Sequence, residues 1–316
     1  MSSTPYHQQH LQVNGGHSLY VAQYGKPDGA PCVVLHGGPG SGCQPSMLAW
    51  FDLSAQRVVL FDQRGAGKSL PQGELVNNDS HRLVADIESV RKALGIPRWS
   101  VVGGSWGATL ALLYAGQHSA HIDRLILRGS FLASAREMHW FFQGLQAMVP
   151  VAWDALTAGW SAHQKQHVLP TLCQLLLQGD AGAAHDAARR WSRYEDSIMG
   201  VMGGTAMTAP ASDEPVSART LGKYRLQAHY LSQGCFTTER QLFRMARQLR
   251  RVPTIIVHGS HDLVCPPENA LRLHRFMPHA QLRWVMKGSH TPSDPLIAQA
   301  LKEAVAQWRS RDQGGS

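Results

Sequence analysis

The chain has 316 residues, 43% of them hydrophobic, and a formal net charge of +8, which describes a globular protein of one or two domains rather than a disordered or fibrous one. No apolar run reaches the ~18 residues of a membrane span, and the scattered arginines, densest from Arg244 to Arg251, lack the aromatic interleaving of a nucleic-acid surface, so neither partner is expected. Five cysteines without a C-x-x-C pair, and a start from Met1 to His10 with no apolar signal core, point to reduced thiols in the cytoplasm.

In chain order, His10 to Val13 and Ser18 to Tyr24 flank the turn Asn14-Gly15-Gly16 as a hairpin. Cys32 to Leu35 and Arg57 to Phe61 read as buried strands. An amphipathic helix follows, with Leu83, Ile87, Val90 and Leu94 on one face and Gly95 as its stop. Trp99 to Val102 is the next strand, Ala108 to Ala115 the next helix, and Arg124 to Leu127 a further strand. From residue 133 to 235 no convincing strand occurs, only helical runs broken by a polar loop from Gly203 to Ser217. Thr254 to Val257 and Leu282 to Val285 complete the strands, and a last helix begins near Ser293-Asp294-Pro295, before a frayed tail from Asp312. Alternating strands and helices predict an α/β fold with a mostly parallel sheet. The helical block predicts a cap inserted into a core of residues 1–132 and 236–316, over the edge where open α/β sheets bind ligands.

The chemistry concentrates at Gly103-Gly104-Ser105-Trp106-Gly107, placed between a strand and a helix. A G-x-S-x-G there forms a nucleophile elbow, with glycines where the turn is too tight for side chains and the serine at a helix N-terminus. A serine hydroxyl needs an imidazole to take its proton and a carboxylate to orient that imidazole. Asp262 follows the strand ending at Val257, and His290 alone among the histidines sits just past the last strand; Asp294, a candidate helix cap, is the rival acid. His36-Gly37-Gly38-Pro39-Gly40 follows an early strand, and its glycines let a backbone N–H of Gly37 or Gly38 join that of Trp106 in an oxyanion hole. It lacks the Gly-Lys-Ser ending of a phosphate loop, and His36 reads as structural. A serine at the elbow excludes epoxide or haloalkane chemistry, which needs a carboxylate there.

His36-Gly37-Gly38-Pro39-Gly40, Phe61-Asp62-Gln63-Arg64-Gly65, Gly103 to Gly107, Leu127-Arg128-Gly129 and Asp262 to Pro266, in that order, resemble the prolyl aminopeptidase (proline iminopeptidase) family of α/β hydrolases from about Tyr6 to Trp308. The resemblance implies an α/β-hydrolase fold with an all-helical cap and a serine exopeptidase that removes N-terminal proline from short peptides without metal or cofactor. Ser289 departs from the glycine common in the family before the histidine. Asp62 and Arg64 read as structural support.

An aminopeptidase must hold a protonated α-amine, which leaves water only against carboxylate or several acceptors. Glu195 falls on the apolar face of a helix from about Asp180 to Met199, with Ala187, Trp191 and Ile198. In the resemblance, Trp191-Ser192-Arg193-Tyr194-Glu195 matches the run that carries one amine-binding glutamate. Gln227 stands where the family usually places a second, so the pocket is short of one charge. Phe131, Trp140, Phe141 and Phe142 are candidates for the ring site. The rival readings are a carboxylesterase or amidase acting on neutral acyl groups, and a non-catalytic ligand-binding member of the fold; oligomeric state is not legible.

Overall fold

The computed structural model describes residues 4–203 and 216–312. The loop expected between Gly203 and Ser217 falls almost wholly outside the described residues, as does the tail after Asp312. The strands are β1 (His7–Gln12), β2 (Ser18–Gly25), β3 (Ala30–Leu35), β4 (Gln56–Phe61), β5 (Trp99–Gly104), β6 (Ile122–Arg128), β7 (Thr254–Gly259) and β8 (Gln281–Val285). They form one eight-stranded sheet in the order β1-β2-β4-β3-β5-β6-β7-β8. The hairpin of β1 and β2 is antiparallel and β2 meets β4 antiparallel; every later pairing is parallel. The parallel strands are rich in Val, Ile and Leu because helices cover both faces.

Four core helices precede the last: α1 (Ser80–Ala93), α2 (Trp106–Gln117), α9 (Glu239–Gln248) and α10 (Glu268–Phe276), and α11 (Pro295–Asp312) closes the chain. Helix α1 begins where the Asp79 carboxylate accepts the Arg82 N–H at 2.9 Å, and buries Leu83, Ile87 and Val90 on one sheet face with α2. Helix α2 is apolar on all sides and buried from Trp106 to Ala115, as befits the helix behind the elbow. On the opposite face, Ile297, Leu301 and Val305 of α11 pack on Val34, Val102 and Val257. Parallel strands whose C-terminal ends point one way thus deliver every loop of the candidate site to the same edge.

Between β6 and β7 the described residues form only helices: α3 (Ala135–Phe142), α4 (Pro150–Leu156), α5 (Ala162–Gln166), α6 (Val168–Gln178), α7 (Ala181–Gly203) and α8 (Ala218–Ser232), besides α9 and short turns. Helices α3, α4, α6, α7 and α8 share their own apolar cluster, including Phe142, Trp153, Leu172, Trp191, Ile198 and Tyr224. Helix α8 is anchored to the core: the Tyr230 hydroxyl donates to Asn78 Oδ1 at 2.7 Å. Among the described residues no helix is long and apolar enough to cross a membrane.

Two buried acids of the core are structural. Asp62 accepts the N–H groups of Cys43 at 2.6 Å and Lys68 at 2.8 Å. Arg64 forms a bidentate pair with Asp86 at 2.6 and 2.7 Å and also donates to the Asn77 carbonyl.

Candidate active site

Strand β5 feeds the turn at Ser105, and α2 starts at the next residue. Ser105 is held at φ 57° and ψ −123°, a conformation that costs a residue with a side chain on the order of 1–3 kcal/mol. The flanking glycines are required by proximity. A Cβ on Gly103 would lie 2.2 Å from the Gly107 carbonyl oxygen, and one on Gly107 would lie 2.0 Å from that of Leu35. The Ser105 N–H donates to the Arg128 carbonyl at 2.8 Å, tying the elbow to the end of β6. The serine therefore stands at the positive end of a 12-residue helix.

Asp262 rides the loop after β7 and His290 the loop after β8. His290 Nδ1–H donates to Asp262 Oδ2 at 2.8 Å, and both side chains are buried. The other oxygen, Oδ1, accepts the N–H groups of Val264 at 3.0 Å and Cys265 at 2.8 Å. Burial alone would raise this carboxyl's pKa; the His290 imidazole and these N–H groups outweigh it, and it lies below its ordinary value. Gly129 backs the pair at φ 56°, and a Cβ there would come 3.2 Å from His290 Nδ1 and 3.3 Å from Asp262 Oδ2. Ser289 fits in place of glycine: its N–H donates to Asp294 Oδ2 at 2.8 Å and its hydroxyl accepts from Thr291 at 3.3 Å. Asp294 Oδ1 accepts from Leu296 at 2.8 Å, so the rival acid caps α11.

Gly37 and Gly38 leave β3 beside the elbow, with the Cα of Gly37 packed toward Ser105. Together with Ser105, His290, Glu195 and Gln227 they line a cavity of about 270 Å³. The Trp106 indole is buried, its Nε1–H donating to Gln63 Oε1 at 2.9 Å. The Trp106 backbone N–H stands at the start of α2, where no intrahelical acceptor exists. His36 is buried with Nε2 accepting from Gln63 N–H at 3.0 Å, and burial pushes its pKa down. It is a bracket between β3 and β4, not a base.

Helices α7 and α8 bring Glu195 and Gln227 together: Gln227 Nε2 donates to Glu195 Oε1 at 3.0 Å. Ala187, Trp191 and Ile198 are buried as the helical face predicts, while the Glu195 side chain keeps 18% exposure. A smaller recess of about 60 Å³ opens off Ser105, walled by Phe131, Phe141, Phe142 and Trp191, with Glu195 and Gln227 at its edge. Trp140 departs from expectation. Its indole N–H donates to the Leu263 carbonyl at 2.7 Å, so it clamps the acid loop instead of walling the recess.

Several residues near the site escaped sequence reasoning. Lys223 Nζ lies 2.9 Å from Glu195 Oε2, and the Tyr224 hydroxyl donates to the same oxygen at 2.8 Å. His258 Nε2–H donates to the Cys265 carbonyl at 2.9 Å while Nδ1 accepts from Ser130 N–H at 3.2 Å, which props the acid loop. Arg128 Nη1 donates to the His290 carbonyl at 2.7 Å. Glu137 borders the recess, yet its oxygens accept from Leu132, Ser134 and Asn269. Burial raises its pKa. Two carried a legible signal: Glu137 in the Ser134-x-x-Glu137 capping box, and Arg128 in the Leu127-Arg128-Gly129 motif, which marked the residue without its role.

A mostly parallel sheet with a strand–serine–helix elbow defines the class as an α/β hydrolase fold, and residues 31–294 match the alpha/beta hydrolase fold family. Proline iminopeptidases of Xylella fastidiosa and Xanthomonas citri are 40% and 39% identical to the chain, over 94% and 96% of it and 95% and 96% of their own lengths. The chain belongs to the proline iminopeptidase family. A crystal structure of a proline iminopeptidase from Mycobacterium smegmatis has the same fold at TM-score 0.61 and 19% identity, covering 98% of this chain and 100% of that one.

Proposed function

We propose that the chain is a serine aminopeptidase that releases N-terminal proline from short peptides through an acyl-enzyme. The observation that carries the reading is one cavity lined by Ser105, Glu195 and a His290 that is hydrogen-bonded to Asp262; relatives named proline iminopeptidase at about 40% identity support it. Ser105 Oγ attacks the prolyl carbonyl and its proton passes to His290 Nε2, while Asp262 holds the Nδ1–H tautomer. The oxyanion takes hydrogen bonds from Trp106 N–H and from Gly37 or Gly38, each donor worth roughly 2.7–4 kcal/mol in the transition state. His290 returns the proton to the leaving amine, and water then cleaves the prolyl ester by the same route reversed. No metal or cofactor takes part.

The ring of proline occupies the recess walled by Phe131, Phe141, Phe142 and Trp191. Its protonated amine lies against Glu195 and Gln227. Gln227 suits the second N–H, because among the described residues its buried Oε1 has no hydrogen-bond partner. Residues 133–235 form the cap whose helices α7 and α8 close the amine side, which limits the substrate to one residue there. A cytoplasmic site of action is supported by the five free thiols.

The second reading is a carboxylesterase or amidase for neutral acyl groups, favoured by the neutral Gln227 and by the Lys223 contact to Glu195. A panel of amino-acid p-nitroanilides and simple p-nitrophenyl esters, assayed with wild type and Ser105→Ala, separates the two. Preference for proline p-nitroanilide, lost in Ser105→Ala, is expected. Turnover of the esters alone would overturn the aminopeptidase reading.

A further inference from the structure

The amine site contains a cation of its own. Lys223 Nζ sits 2.9 Å from Glu195 Oε2, 3.2 Å from the Tyr224 hydroxyl and 4.5 Å from the centroid of the Tyr224 ring. The pair is half-buried, with side-chain exposures of 29% for Lys223 and 18% for Glu195. Among the described residues Glu195 is the sole carboxylate lining the larger cavity, and Lys223 and Arg128 line it as cations. Glu137, at the recess, is already saturated by donors. At Glu195 itself the Lys223 ammonium therefore offsets the charge a substrate ammonium would meet, while Asp196, next along α7, interacts electrostatically with both. Yet the hydrogen-bonding geometry for an amine persists, in Glu195 Oε1 and in Gln227 Oε1, which has no partner among the described residues.

We propose that Lys223 is a specificity-determining residue: it neutralises Glu195 in the empty site, weakens recognition of a charged amine, and lets the same serine act on ring-sized acyl groups that carry none. The inference rests on the aminopeptidase reading and deepens it. A prolyl ammonium arriving at Glu195 must share or displace the Lys223 charge, so part of its charge-assisted bond is cancelled. A cyclopentane ring, the same shape with CH₂ in place of the ring NH, loses only that reduced contribution. Discrimination between the two ligands is consequently shallow.

The experiment compares kcat/KM for proline p-nitroanilide and cyclopentanecarboxylic acid p-nitroanilide in wild type, Lys223→Met and Lys223→Arg. Both substrates use Ser105, so their ratio is independent of the folded fraction. Lys223→Met is expected to raise the prolyl-to-cyclopentyl ratio about tenfold, mainly through a lower KM for the prolyl compound. Lys223→Arg, which keeps the charge, should retain the wild-type ratio. An unchanged or lower ratio in Lys223→Met overturns the role of Lys223 while leaving the aminopeptidase reading intact. So does a wild type that cleaves the prolyl compound and leaves the cyclopentyl one untouched. If all three proteins cleave the cyclopentyl compound and none cleaves the prolyl one, the aminopeptidase reading falls, and this inference with it.

Discussion

On the proposed assignment of Glu195 and Gln227 to the substrate amine, replacing Gln227 by glutamate supplies a second carboxylate there, and the structure sets what that is worth. Gln227 Nε2 now donates to Glu195 Oε1 at 3.0 Å and its Oε1 has no partner among the described residues. In Gln227→Glu the substrate's second N–H would meet a charged acceptor instead of a neutral one. Hydrogen bonds to charged groups contribute about 1.5–3 kcal/mol against about 0.5–1.5 for neutral pairs, so the gain is ~1 kcal/mol, roughly fivefold in kcat/KM. A cost accompanies it. Two carboxylates about 3 Å apart do not both ionise readily, so in the empty site the dyad retains a shared proton and one apparent pKa rises. The gain should therefore appear only above that apparent pKa, and fade again as the substrate amine loses its own proton near pH 7.7–8.0. Steady-state kinetics of proline p-nitroanilide across about pH 6 to 9 provide the assay. A kcat/KM equal to or below wild type throughout would refute the assignment of Gln227 to the amine site.

Asp262→Asn removes the carboxylate that fixes the His290 tautomer and should lower kcat about 10⁴-fold with the fold intact, measured by kcat and circular dichroism. N-acetylation of proline p-nitroanilide removes the amine charge and adds bulk against Glu195, so turnover should fall below detection; retained turnover would contradict the closed amine side. Glu88 is held by Arg91 at 2.6 Å, and that hydrogen bond, with Tyr114 beside it, pulls its pKa down to about 2. A depressed carboxyl stabilises the fold above its unfolded pKa and loses that contribution as pH falls through its folded value. Glu88→Gln should thus be less stable than wild type near neutrality by about 1.5–3 kcal/mol. In urea titrations the difference should close as pH drops from about 4.5 toward 2; a constant difference would contradict the assigned role.

Much of the site was legible because a doubly wound sheet makes position along the chain equivalent to position in space. His290 was selected from 17 histidines by lying just past the last strand, and the structure sets it on Asp262 at 2.8 Å. The elbow was legible for a local reason, since Gly103 and Gly107 have no room for a Cβ. Periodicity put Glu195 on the apolar face of α7, and the family resemblance added Gln227 as its companion; their contact was not read from the sequence. Helical spacing says which face of α7 is buried, but not which residue of α8 it meets, so Lys223 escaped notice. The roles of His258 and Arg128 were hidden similarly: one lies next to the end of β7 and the other ends β6, and both act through backbone carbonyls that sequence does not pair. Trp140 shows the limit of composition, because an aromatic beside Phe141 and Phe142 turned to the acid loop instead.

The central claim is that Ser105 is the nucleophile, activated by His290. Treating the protein with a fluorophosphonate and mapping the adduct by mass spectrometry tests it directly. One phosphonyl group on Ser105, with loss of proline p-nitroanilide turnover in step with labelling and no labelling in His290→Ala, is the predicted result. Full turnover in a protein labelled at Ser105, or loss of turnover with the adduct on another residue, would contradict it.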